Sequence, residues 1–411
     1  MVVNNRITRR RLLQSGGWGA AALLAAGCVT APYPLVSSAG AAVSANLPRS
    51  APKRPPLEGP LRATLPIPDA PLEVKIGQMI MLGFRGQYLA EGSMIMRAIR
   101  ELHVGSVVLF RYNVQSPAQV TALTATLQAA AEHPLLVAVD HEGGLVNRFP
   151  GGFGIATNYS AQELGARNDL ESTRVQGENV AARLAALGIN LNLAPVVDLN
   201  LNPANPVIGG VQRSFSADAD VVTAHARAMI ESHHRHNVLC TLKHFPGHGS
   251  SAHDSHWGFV DVTETWQAGE LDPYRSLIGA TLCDAVMTAH IFNERLDPDY
   301  PATLSQPIIT GILRQQLGYE GVVISDDMQM RAISQVYDFE TAVRQAVLAG
   351  VDIIAIANNL AYAENWAERT VRILHRLVEE GVVSPARIDE SYRRVMRLKA
   401  RLAPRLPGDV A

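Results

Sequence analysis

The sequence predicts an α/β protein, a (β/α)8 TIM-type barrel built as a single catalytic domain with long βα loops. Three observations carry that expectation. Eight short apolar runs recur from about Ala63 onward, helix-like segments separate them, and polar residues capable of chemistry stand where the runs end. Strands alternating with helices pair in parallel through right-handed crossovers, and eight such units over about 340 residues close a barrel. A doubly wound open sheet is the runner-up. No G-x-G-x-x-G follows the first run, which weakens a dinucleotide-binding reading.

In order, the strand candidates are Gln78–Phe84, Gly105–Phe110, Leu135–Val139, Ile189–Ala194, Val238–Lys243, Asp284–Ala289, Gly321–Ser325 and Asp352–Ala357. Helix periodicity marks Pro117–Glu132, Glu171–Leu187, Ala219–His236, Leu304–Leu317, Phe339–Leu348 and Ala361–Glu379 between them. With 411 residues, 47% of them hydrophobic, the chain has material for a large core. Its net charge of −2 supplies no basic surplus for nucleic acid. The three cysteines are Cys28, Cys240 and Cys283; the last two lie in apolar runs and read as buried free thiols rather than a disulfide framework.

The N-terminus reads as targeting rather than fold. Residues 1–28 carry Thr8, Arg9, Arg10, Arg11, Leu12, Leu13, which looks like a twin-arginine export signal, then an apolar stretch from Trp18 to Gly27 too short to span a bilayer. Leu24, Ala25, Ala26, Gly27, Cys28 resembles a lipoprotein signal whose Cys28 would be lipidated, although Ala25 stands where Leu is usual, so cleavage and release stays open. Residues 29–62 are an Ala-, Ser- and Pro-rich tether, 63–404 the barrel and 405–411 a tail. The expected place is the periplasm or a membrane surface, with a cytoplasmic location as the alternative.

In a barrel all strand ends converge on one face. Strand three ends in Asp140, His141, Glu142, Gly143, Gly144 with Arg148 close behind; strand five delivers Lys243 and His244, strand six His290, strand seven Asp326 and Asp327, strand eight Asn358 and Asn359. The densest stretch is Lys243–Gly258, KHFPGHGSSAHDSHWG, a Gly-, Ser- and His-rich loop leaving strand five. Asp326 ends a run that should be buried, and a carboxylate there suits a nucleophile toward an anomeric carbon; equally, Ser325, Asp326 or Asp327 would cap the following helix. Asp254 and His256, two apart, would share one side of an extended segment, where a carboxylate–imidazole bond suits a group that acts as acid and then as base. Several His and an Asp so close together also fit a zinc hydrolase, although neither H-E-x-x-H nor H-x-H-x-D-H is present.

KHFPGHG followed by DSH, with AVDHEGG upstream and ISDDM downstream, resembles glycoside hydrolase family 3, specifically its single-domain bacterial β-N-acetylglucosaminidases, over about residues 70 to 400. The resemblance implies a retaining mechanism without metal or cofactor: Asp326 as nucleophile and His256 as acid/base partnered by Asp254. It also implies sugar binding by Asp140, Arg148, Arg213, Lys243 and His244, with His248 and His253 as scaffold or rim. The expected substrate is terminal β-linked N-acetylglucosamine from peptidoglycan fragments. Two departures bear on specificity: Leu145 replaces an arginine of D-Q-E-G-G-R-V-Q-R, and Gly209-Gly210-Val211-Gln212 lengthens the approach to Arg213. The alternatives are another β-glycosidase such as a glucosidase, the zinc hydrolase, which chelation would inactivate, and a non-catalytic cell-wall-binding lipoprotein, against which intact Asp326, Asp254 and His256 speak.

Overall fold

The computed structural model describes residues 67–402, apart from 150, 152, 156 and 157. The export signal, Cys28, the tether and the tail therefore lie outside the described residues.

Helix α1 (Leu72–Gln78) leads into β1 (Ile80–Gly83), followed by α2 (Met94–Glu101), β2 (Ser106–Leu109), α3 (Pro117–Ala130) and β3 (Leu136–Val139). Then come α4 (Ala161–Arg167), α5 (Leu170–Ala186), β4 (Leu191–Asn192), α6 (Ala219–His234), β5 (Leu239–Phe245), α7 (Asp272–Gly279) and β6 (Ala285–Thr288). A π-helix (Pro307–Gln316), β7 (Val322–Ile324), α8 (Arg331–Ser334), α9 (Phe339–Ala349), β8 (Ile354–Ile356), α10 (Trp366–Glu379) and α11 (Pro385–Ala400) complete the order. All eight expected strands form and all pairings are parallel, in the order β7-β6-β5-β4-β3-β2-β1-β8. Closure comes from a bridge between Ile324 and Ile353 and from Ser325 N donating to Ile353 O at 2.9 Å. The fold is a (β/α)8 TIM-type barrel.

Alternation along each strand makes two cores. Met81, Val108, Ala138, Leu191, Leu239, Met287, Ile324 and Ala355 point inward and fill the barrel with apolar volume. Their neighbours, such as Ile80, Val107, Val137, Cys240, Val286 and Val323, face outward against the helices. Each fully buried large aliphatic side chain contributes about 1.5–3 kcal/mol over an exposed one. The last turns of α11 add Val395 and Leu398 to the inner cluster, plugging the end opposite the strand C-termini.

Caps explain several helix starts. Ser116 with Pro117 at N1 opens α3, Asp169 opens α5, Asp218 α6, Asp338 α9, and Ser384 with Pro385 α11. Four expectations need correction. Gln78 ends α1 instead of starting β1. The 304–317 segment is a short 3-10 turn followed by the π-helix. Helix α10 begins at Trp366 rather than Ala361. Helix α8 has Met330 at its N-cap and no side-chain cap, so neither Ser325 nor either aspartate caps it.

Candidate active site

At the C-terminal ends of the strands one wall is built by β3, β4 and β5. A register shift between Leu242 and Phe245 breaks the alternation of β5, so the adjacent residues Lys243 and His244 both serve this wall. Lys243 Nζ donates to Asp140 Oδ1 and reaches Glu142 Oε1, both at 2.7 Å, leaving one of its three N–H groups for a ligand. Burial opposes its charge, but the two carboxylates outweigh that and hold the ammonium above its ordinary pKa. Asp140 is likewise desolvated, yet Lys243 and Arg148 keep its carboxyl below the usual range.

Gly143 and Gly144, at φ +98° and +57°, turn the chain after Glu142 so that Arg148 returns to Asp140 at 3.4 Å. Leu145 sits exposed at the tip of this turn. Arg213 grips Glu142 with Nε and an Nη at 2.8 Å each, donates to Val207 O at 2.8 Å and to His244 Nε2 at 3.3 Å. The lengthened approach to Arg213 is a 3-10 turn, Gly209–Val211, that carries the guanidinium back to this pair. A guanidinium only donates, so His244 Nε2 accepts and its Nδ1–H faces Asp198 Oδ2 at 2.7 Å.

Asp198 is a residue the strand-end reading missed. It is fully buried and also accepts from the backbone N–H of His244 and of His248. The signal was a lone acid inside the apolar run Val196, Val197, Leu199. Glu270 was missed too; it accepts from Gly249 N at 3.1 Å, and burial pushes its carboxyl up to about 7. Together they root the long loop after β5. His248, also buried, bonds Ser251 Oγ at 2.6 Å and Ser255 Oγ at 3.2 Å inside that loop, whereas His253 is exposed.

Across the mouth stand Asp326 and His256. Asp326 follows β7; burial works against its charge, but the imidazoles of His290, His244 and His256 and the N–H of Asp327 at 2.8 Å hold it below the ordinary carboxylate range. Its neighbour Asp327 uses Oδ1 to accept from Gln329 N and Ala357 N, tying the β7 loop to β8, and burial raises it to about 7. His290 spans Thr303 Oγ1 and Asp327 O at 2.8 and 2.9 Å, bracing the same loop.

His256 Nδ1 meets Asp254 Oδ1 at 2.7 Å, and the same oxygen accepts from His256 N at 2.8 Å. The dyad is present, but it is made in a turn closed by Trp257 N on Asp254 O, not in an extended segment. Burial lowers the His256 pKa; Asp254 and Asp326 outweigh it and raise the group above its ordinary value. The loop seats on α8, where Ala332 N donates to Ser255 O and Arg331 N to His256 O. His141 and Asn358 do not join the site. His141 packs on Phe149 with its nitrogens buried, and Asn358 braces its own loop through Ala363. The loop imidazoles are thus dispersed over separate partners. Among the described residues no three His, Cys, Asp or Glu groups gather where they would hold a metal ion.

A buried carboxylate after β7 and an imidazole held by Asp254 on the β5 loop stand with a wall of paired charges at the mouth of the parallel barrel, the face on which barrels of this class carry their chemistry. Residues 71–398 match the glycosyl hydrolase family 3 N-terminal domain, and the chain belongs to that family. It is 34% identical to beta-hexosaminidase A of Pseudoalteromonas piscicida over 372 residues, covering 80% of this chain and 60% of that one. It is 38% identical to a beta-hexosaminidase of Tolumonas auensis over 269 residues, covering 64% and 79%. Among solved structures, a family 3 β-N-acetylglucosaminidase from Paenibacillus sp. FPU-7 superposes with a TM-score of 0.76 at 38% identity, covering 84% of this chain and 65% of its own. The chain thus spans less than two thirds of the Pseudoalteromonas and Paenibacillus proteins.

Proposed function

We propose that this chain, a β-N-acetylhexosaminidase of glycosyl hydrolase family 3, releases terminal β-linked N-acetylglucosamine from peptidoglycan fragments with retention of configuration. The observation that carries the reading is the His256 imidazole, its Nδ1 held by Asp254 at 2.7 Å and its charge favoured by the buried carboxylate of Asp326. Asp326 attacks C1 while the C1–O bond breaks, and the Nε2 proton of His256 passes to the departing oxygen. The neutral imidazole then takes a proton from water, whose oxygen displaces Asp326 from C1. A neutral imidazole does not repel the anionic nucleophile, which is the gain over a second carboxylate. Asp140, Lys243, Arg148, His244 and Arg213 hold the sugar from the opposite wall; Arg213 has one N–H left after its protein contacts. The names of the relatives support the N-acetylated sugar, and the export-like N-terminus supports work on cell-wall material in the periplasm or at a membrane through Cys28.

The test compares p-nitrophenyl N-acetylglucosaminide with the glucoside in wild type and in Asp326→Asn, with and without chelator. The expected result is preference for the N-acetylated substrate, loss on the order of 10³-fold or more in the variant, and no loss on chelation. Activity within tenfold of wild type in Asp326→Asn refutes the nucleophile. Palmitate labelling with fractionation reports on Cys28, and unlabelled protein confined to the cytosol refutes the anchored, exported enzyme.

A further inference from the structure

The residue after His256 is a tryptophan, and it is 53% exposed. A large indole left in water at a barrel mouth exposes apolar area that a ligand can cover. By contrast Trp266 and Trp366 pack against the core. The guanidinium of Arg331 lies over the Trp257 ring, 5.6 Å from its centroid. The two residues come from different elements, the β5 loop and α8, joined where Arg331 N donates to His256 O at 3.4 Å. A guanidinium held over a ring keeps N–H groups that can donate to an acceptor.

The position has a chemical meaning that rests on the glycosidase reading above. A proton donor must reach the departing oxygen, so the leaving group lies beside His256; Arg331 stands five residues after Asp326, on the helix that receives the loop. We propose that Trp257 and Arg331 form the leaving-group platform. A pyranose on the leaving side stacks on the indole, and a carboxylate carried by that sugar pairs with the edge of the guanidinium. The preferred leaving group is therefore an acidic sugar.

Three substrates separate the contributions: β-N-acetylglucosaminyl fluoride, whose leaving group is a single atom; the neutral disaccharide N,N′-diacetylchitobiose; and N-acetylglucosaminyl-β-1,4-N-acetylmuramic acid, which carries a carboxylate. Trp257→Ala is expected to lower kcat/KM for both disaccharides about tenfold more than for the fluoride, with Trp257→Phe recovering part of the difference. Arg331→Gln is expected to lower it for the acidic disaccharide about fivefold more than for the neutral one. Equal losses on all three substrates in Trp257→Ala, or on both disaccharides in Arg331→Gln, overturn the platform while leaving the glycosidase reading standing. Wild-type protein that leaves the fluoride and both disaccharides intact overturns the glycosidase reading and the platform with it.

Discussion

Replacing Asp254 with Asn isolates the charge of the dyad from its geometry. One oxygen, Oδ1, accepts from both His256 N and His256 Nδ1, at 2.8 and 2.7 Å. The backbone N–H keeps a carbonyl oxygen on that side, so the amide of Asn retains both hydrogen bonds and the ring orientation, and only the negative charge is lost. A charge-assisted bond is worth about 1.5–3 kcal/mol against about 0.5–1.5 for a neutral one. The side chains are 22% and 39% exposed, so solvent screening trims that difference of about 1–1.5 kcal/mol to about 0.5–1 kcal/mol. That predicts a fall in kcat/KM of roughly 2- to 5-fold for a p-nitrophenyl substrate. The sign in pH follows from the raised pKa of His256. The acid must be protonated, so kcat/KM falls as pH rises through that pKa; removing the anion lowers the pKa and moves the alkaline limb to lower pH. Steady-state kinetics across pH, repeated with a 2,4-dinitrophenyl leaving group that needs little protonation, is the assay. An unmoved alkaline limb, or equal losses on both leaving groups, refutes the dyad as acid/base.

Glu142→Gln leaves buried Arg213 and Lys243 short of a counter-charge and is expected to cost about 3 kcal/mol, read as a Tm drop of roughly 5 °C. A Cβ at Gly249 would stand 1.7 Å from Leu199 O, so Gly249→Ala must shift the root of the dyad loop; about 1–3 kcal/mol of stability and at least tenfold of kcat/KM should go together, by calorimetry and kinetics. Lys399, buried and bonded to Gln78 Oε1, has its pKa lowered by burial to about 7. From there to its ordinary value near 10.5 the unfolded chain holds a proton that the folded chain lacks, so this group makes stability rise with pH at about 1.4 kcal/mol per unit. Lys399→Met should be more stable than wild type at pH 7, with an advantage that shrinks toward pH 10; a constant Tm difference would contradict this.

The strands were legible because inward- and outward-facing positions are both apolar, giving runs such as Val322, Val323, Ile324 that end in polar residues. Placing Asp326, His244 and Lys243 at one mouth followed from topology alone. Helices α2, α4 and α7, of 8, 7 and 8 residues, are too short to display a helical period, and in α11, PARIDESYRRVMRLKA, the charged residues outnumber the stripe of Ile388, Tyr392, Val395 and Leu398. Asp198 and Glu270 were hidden for another reason. Their work is to receive backbone N–H groups from segments far away in sequence, and side-chain type does not announce that. The dyad was found for its composition, while its Asx-type turn depended on loop anchoring that spacing does not encode.

The plugged end of the barrel fixes how this protein can be held. Helix α1 enters there beside α11, with Lys75 bonded to Asp389 at 2.7 Å and Lys399 to Gln78, so Ile67 and Leu402 both belong to the side away from the mouth. A leash, resin or fusion partner joined to either of these ends grips the floor of the molecule. The opening then points outward, free to meet a polymer too large to diffuse to it.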